Sequence, residues 1–164
     1  MSRVVDLSRH ESFMRRAIEI SRDKMRADGS APFGCVIVKD GVIVGEGVNN
    51  VINNHDATSH GEVEAIRDAG RNLKTWDLSG CDLYTTCEPC EMCVASMFWA
   101  KISRLYYANT LKDCADIGFK LEPLTDMVRS DLHERTLPAE RLLPTEAREV
   151  LDEWAASPGF SPFQ

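Results

Sequence analysis

Apolar positions first recur at helical spacing, with Met14, Ala17, Ile18, Ser21 and Met25 on one face and Ser8 and Glu11 at capping-box spacing ahead of them. Asp28-Gly29 ends that helix. The period then shortens to that of strands. The β-branched runs 34–39 and 42–48 are joined by Asp40-Gly41, a dipeptide that suits a two-residue hairpin turn. A polar loop over 49–56 leads to a second predicted helix from Ser59 to Ala69, with Ser59 and Glu62 again at capping-box spacing and Gly70 as its stop. Residues 81–85 predict a third strand and 104–108 a fourth. The segment 89–100 between them is apolar nearly all round, so it predicts a buried helix with Pro89 in its first position. A strand, a buried helix and another strand imply a parallel pair. From Thr110 onward the pattern weakens to a short helix over 113–119, loops at Pro123 and Pro138, and a helix over 145–156 after Pro144. The result is an α/β domain with a mixed sheet and helices on both faces.

At 164 residues the expected organisation is one domain over 1–164 with a helical tail from about 144 to 164. No segment approaches the roughly 18 apolar residues of a membrane span, and no apolar signal core follows Met1, so a cytoplasmic protein is expected. The six cysteines include a Cys-x-x-Cys-x-x-Cys cluster, which fits reduced thiols better than a disulfide framework. A formal net charge of −7 speaks against a nucleic-acid partner. The basic residues of the first helix (Arg15, Arg16, Arg22, Lys24, Arg26) fit a solvated helix face.

The chemistry concentrates in Thr86-Cys87-Glu88-Pro89-Cys90-Glu91-Met92-Cys93. Cys90 and Cys93, three residues apart on one helical turn, can grip a soft metal ion, and the helix N-terminus favours their thiolates. His60, at the start of the preceding helix, offers a third ligand. Two histidine- and cysteine-bearing helix tips meeting at one point leave the fourth position open, as in catalytic zinc sites. The alternative is a closed structural site with Cys87 or another histidine as fourth ligand. Glu62, two residues past His60, can move protons beside the open position, or it can serve only its helix cap. Cys35, Cys81 and Cys114 read as buried small residues, and His10, His55 and His133 as surface or loop histidines.

With His60-Gly61-Glu62, the CEPCEMC run, the Ser-Ala-Pro-Phe-Gly segment at 30–34 and the Gly-Val-Asn-Asn loop at 47–50, the chain resembles the cytidine deaminase-like superfamily. Its closest resemblance is to the small bacterial guanine deaminases. That resemblance implies a three-layer α-β-α sandwich whose mixed central sheet has about five strands. It implies one Zn2+ per chain on His60, Cys90 and Cys93, with Glu62 as proton shuttle in a hydrolytic deamination. Asn49 would hydrogen-bond the base, Phe33 would stack on it, and Trp99 would form a further wall. Gly61 departs from the alanine of the guanine enzymes and matches fungal-type cytosine deaminases. The acids that follow the Gly-Phe pair in the guanine enzymes are displaced here, with Glu122 or Asp116 as stand-ins. Those enzymes also carry an aromatic chain terminus that reaches the base, whereas this chain departs from them and ends Ser161-Pro162-Phe163-Gln164. The implied substrate is a free amino-substituted nucleobase, guanine or a related heterocycle. Alternatives are a cytosine-type base or nucleoside, tRNA adenosine, or a non-catalytic zinc-stabilised binding module. The implied assembly is a homodimer, with exchange of C-terminal segments as in the guanine enzymes.

Overall fold

The structure, a computed structural model, describes residues 7–161; Pro162, Phe163 and Gln164, part of the chain end that departs from the aromatic terminus of the guanine enzymes, lie outside the described residues, as do residues 1–6. The chain divides into two units, 1–125 and 126–164.

In the first unit, α1 (Leu7–Asp28) precedes the hairpin β1 (Gly34–Lys39) and β2 (Val42–Val48). The turn takes Asp40 at φ 50° and Gly41 at φ 75°, both left-handed, as a two-residue turn matched to strand twist requires. The short helix α2 (Val51–Asn54) and then α3 (Gly61–Leu73) follow. Next come β3 (Cys81–Cys87), α4 (Glu91–Trp99), β4 (Arg104–Asn109) and α5 (Leu111–Asp116). α6 (Glu122–Arg129) runs across the division between the units. The second unit carries α7 (Pro144–Ala155), whose Trp154 meets Phe160 edge to face.

Among the described residues the sheet has four strands in the order β2-β1-β3-β4, against the about five expected. It is mixed. β1 is antiparallel to β2 and β3, while β3 and β4 are parallel, as the intervening helix implied. Alternation along β1 separates two cores. Val36 and Val38, with Tyr84 of β3, pack against Ala17, Phe13, Met14 and Ile20 of α1. Cys35 and Ile37, with Cys81 and Leu83, pack against Ala65 and Ala69 of α3 and Met97 of α4. These are the three layers of an α-β-α sandwich. Among the described residues no helix is long and apolar enough to cross a membrane.

Several local expectations are corrected. α1 already runs at Leu7, ahead of Ser8, and Met25 faces outward. α3 passes through Gly70 and ends at Lys74, which takes the left-handed conformation itself. The loop over 49–56 contains α2, and residues 122–129 form α6, because Pro123 sits in its first turn, where proline is tolerated. α4 is not buried all round. Cys93 and Met97 face inward, while Val94, Phe98 and Trp99 are exposed. His10 is not a free surface histidine, since its Nδ1 lies 2.6 Å from the Tyr84 hydroxyl and its ring packs on Tyr106.

Candidate metal centre and active site

Two helices present their N-termini to one point. His60 is the N-cap of α3 and Cys90 the N-cap of α4, both in extended backbone conformation, and neither side chain caps its own helix. Pro89 therefore precedes the cap instead of occupying the first helical position. The side chains turn toward each other. His60 Nδ1 lies 3.6 Å from Cys90 Sγ and 3.6 Å from Cys93 Sγ. Around a tetrahedral zinc with bonds of about 2.05 Å to nitrogen and 2.3 Å to sulfur, the expected N···S separation is about 3.6 Å. The three ligand atoms all lie within 4.8 Å of one another. The site fits zinc, and its donor set of two sulfurs and one imidazole suits it. Cys87 is not among these ligands, so among the described residues no fourth protein donor joins the three.

The thiols are electrostatically primed. Hydrogen bonding from Cys93, aided by His60, holds Cys90 well below the usual thiol range, while the bond to Cys90 and burial push Cys93 up. The lowered thiol, Cys90, is the one favoured as a thiolate, the form that binds a metal. The positive ends of two helix dipoles favour that charge.

Glu62, expected either as a cap or as a proton shuttle, does not cap α3. Ser59 instead lies 3.2 Å from both Asn54 Nδ2 and Asp56 Oδ2. Glu62 is only 6% exposed, and its carboxylate reaches the ligand cluster. Its Oε1 accepts from the Thr85 hydroxyl at 3.2 Å, and its Oε2 lies 3.4 Å from Cys93 Sγ, which as a thiol donates to it. Burial raises its pKa, against the opposing pull of these hydrogen bonds. A carboxyl poised above its ordinary range is suited to both taking and giving a proton.

Above the ligands opens a cavity of about 350 Å³ lined by Phe33, Asn49, Glu62, Leu111, Phe119 and Leu121 among others. Its size suits a small molecule. Phe33 is held from three sides: its N–H donates to Ala31 O at 2.8 Å, its carbonyl accepts from Asn49 N at 3.0 Å, and the next residue, Gly34, donates to Thr86 Oγ1 at 3.1 Å. A Cβ on Gly61 would sit 2.8 Å from the Phe33 carbonyl oxygen, so glycine there lets the tip of α3 close on this segment. Asn49 Oδ1 accepts from Val51 N at 3.4 Å, closing the turn into α2 while the residue still faces the cavity.

Two expected binding residues lie elsewhere. Trp99 is 70% exposed on the outer side of α4 and does not line the cavity. It follows Cys90 by about two and a half turns, which places it on the opposite side of the helix. Glu122 is exposed at the start of α6, and the cavity wall reaches only Leu121. Asp116 pairs with Lys112 on the outside of α5. Instead the wall includes Phe119, whose ring centroid lies 5.7 Å from that of Phe33. Phe119 arrives through α5, which starts in a capping box between Thr110 and Asp113. That Thr-x-x-Asp spacing is visible in the sequence and is the signal that could have located this wall.

The fold and the site together define a zinc-dependent hydrolytic deaminase built on a three-layer α-β-α domain. Residues 7–109 match the cytidine and deoxycytidylate deaminase zinc-binding region, and the chain belongs to that family. It is 39% identical to guanine deaminase of Bacillus subtilis (strain 168), over 88% of this chain and 93% of that protein. The X-ray structure of guanine deaminase from Bacillus subtilis superposes with a TM-score of 0.89 at 37% identity, covering 94% of this chain and 99% of that one. A tRNA-specific adenosine deaminase of Buchnera aphidicola subsp. Schizaphis graminum is 31% identical over 77% of this chain and 82% of its own length.

Proposed function

We propose that the protein deaminates a free nucleobase by hydrolysis, with guanine as substrate and xanthine as product. The observation that supports this most strongly is the Glu62 carboxylate buried beside the His60, Cys90 and Cys93 ligand set, at the base of a cavity sized for one small ligand. The full-length match to a guanine deaminase favours guanine over the other bases.

Zinc held by His60, Cys90 and Cys93 would supply a Lewis acid and lower the pKa of a bound water to near neutral. Glu62 takes a proton from the water, passes it to the ring nitrogen next to the amino-bearing carbon, and carries the second proton to the departing amine. One water enters and one ammonia leaves. Phe33 and Phe119 hold the base between aromatic faces, and Asn49 hydrogen-bonds its edge. Thr85 fixes the rotamer of Glu62.

The second reading, deamination of adenosine in tRNA, has the relative from Buchnera aphidicola in its favour. The net charge of −7 weighs against it, since phosphate recognition needs a basic surface. An ammonia-release screen over guanine, cytosine, isocytosine, adenine, amino-triazines and their nucleosides tests the proposal. Guanine should be turned over fastest. A protein that ignores every free base and shifts tRNA in low salt has the other function.

We further infer a cytoplasmic homodimer. All six cysteines are free thiols, which suits a reducing compartment. The outer face of α4 exposes Val94, Phe98 and Trp99, a cluster of apolar side chains that a second copy would cover. α7 likewise exposes Leu143, Val150, Leu151 and Trp154, which supports exchange of C-terminal segments between copies.

A further inference from the structure

One pair of reactive groups has no part in this chemistry. Cys87, at the end of β3, and Cys114, on α5, are both buried, and their sulfurs lie 3.0 Å apart. Both also line the cavity. Neither belongs to the ligand set. Their sulfurs have about 1 Å to close before reaching the disulfide bonding distance of about 2.05 Å.

Cys114 is coupled to the base-binding wall through the backbone. Its carbonyl accepts from Phe119 N at 3.0 Å and from Ile117 N at 3.3 Å. Any shift of Cys114 toward β3 therefore carries the loop that holds the Phe119 ring opposite Phe33. Burial and the neighbouring sulfur raise the Cys87 thiol above its usual value. Both sulfurs are buried and line the cavity, so an oxidant has to reach the pair through it.

We propose that Cys87 and Cys114 are a redox-active dithiol in the cavity wall, which a peroxide converts to a disulfide that displaces Phe119 and weakens base binding. In the first step one sulfur attacks a peroxide oxygen, the O–O bond breaks, and a sulfenic acid and one water form. The second sulfur then attacks the first, the S–O bond breaks, a second water leaves, and the S–S bond is made. The two sulfurs together give up two electrons, and the peroxide is reduced to two waters. A reducing thiol reverses the reaction by exchange. The loss of base binding rests on the deaminase reading, whereas the disulfide itself does not.

The test treats the zinc-loaded full chain with hydrogen peroxide, blocks remaining thiols, digests without reduction and maps the linked peptides. Wild type should yield one Cys87–Cys114 link and a mass lower by about 2 Da, the two hydrogens lost, with zinc retained. Its KM for guanine should rise roughly threefold or more, since a wall shifted by about 1 Å no longer matches the base. Dithiothreitol should restore both. Cys114→Ser should form no such link and show no change in KM on peroxide treatment relative to its own untreated state. A Cys90–Cys93 link with loss of zinc, or no link at all, overturns the dithiol. A Cys87–Cys114 link with KM unchanged overturns its coupling to Phe119. If guanine is not turned over even before treatment, the deaminase reading has failed, and the linked peptide still decides the dithiol.

Discussion

The Thr85 hydroxyl donates to Oε1 of Glu62 at 3.2 Å, tying an inner strand of the sheet to the carboxylate at the base of the cavity. Thr85 is itself buried, so no water can substitute for its hydroxyl without opening the core. Valine has nearly the same shape and lacks the donor. Thr85→Val should lower kcat about 10- to 100-fold, the range for lost support of a site residue, with zinc content and KM little changed. Steady-state kinetics with metal analysis checks this, and an unaltered kcat would mean that Glu62 needs no such restraint.

Zinc removal should separate catalysis from folding. The two cores on either face of the sheet contain none of the three ligands. A chelator should therefore abolish ammonia release while the far-UV circular dichroism spectrum persists. Collapse of the spectrum would show that the metal is a structural staple.

Much of this site was legible because it is local. His60 and Glu62 lie two residues apart, Cys90 and Cys93 three apart, and each pair sits at the start of a helix, so short-range spacing alone assembles most of the ligand geometry. Glu62 shows where such reading divides. Its spacing from Ser59 suited a cap, and burial among Thr85, Cys93 and the cavity drew it inward. The Thr85–Glu62 bond and the Cys87–Cys114 contact join segments far apart in sequence, which no local pattern encodes, while the Thr110–Asp113 box marks locally only the start of the helix that leads to Phe119. The apolar circumference of α4 predicted a helix enclosed by its own chain, yet half of it faces outward. An apolar side chain on the exposed face of a helix looks in sequence like a buried one.

The aromatic pair at the cavity should govern binding more than turnover. Phe33→Leu and Phe119→Leu should each raise KM for the base by about 10-fold, the scale of one lost stacking contact, and change kcat less. Trp99→Ser, on the outer face of α4, should instead shift sedimentation toward monomer. A KM effect confined to Trp99 would reverse these assignments.

Glu62 should be costly to stability in the metal-free protein. Burial raises its folded-state pKa, so its favourable contribution is present below the ordinary carboxylate pKa and is lost as pH rises through the folded value. Glu62→Gln removes that buried charge. At pH 7 the metal-free variant should melt higher by about 2–4 °C for each kcal/mol recovered, and the difference should vanish toward pH 4. Differential scanning calorimetry at the two pH values reads both the sign and the trend. A variant that melts lower at pH 7 would show that the carboxylate is held as a stabilising charge.

The most direct test compares zinc-loaded wild type with zinc-loaded Glu62→Gln for ammonia release from guanine, with bound zinc measured in both. Wild type should release ammonia and xanthine in equal amounts, and the variant should hold one zinc per chain while losing turnover by a factor of about 1,000 or more, as expected when the group that moves every proton is gone. Turnover retained in the variant would contradict the role of Glu62, and a wild type that releases no ammonia from guanine would contradict the proposed substrate.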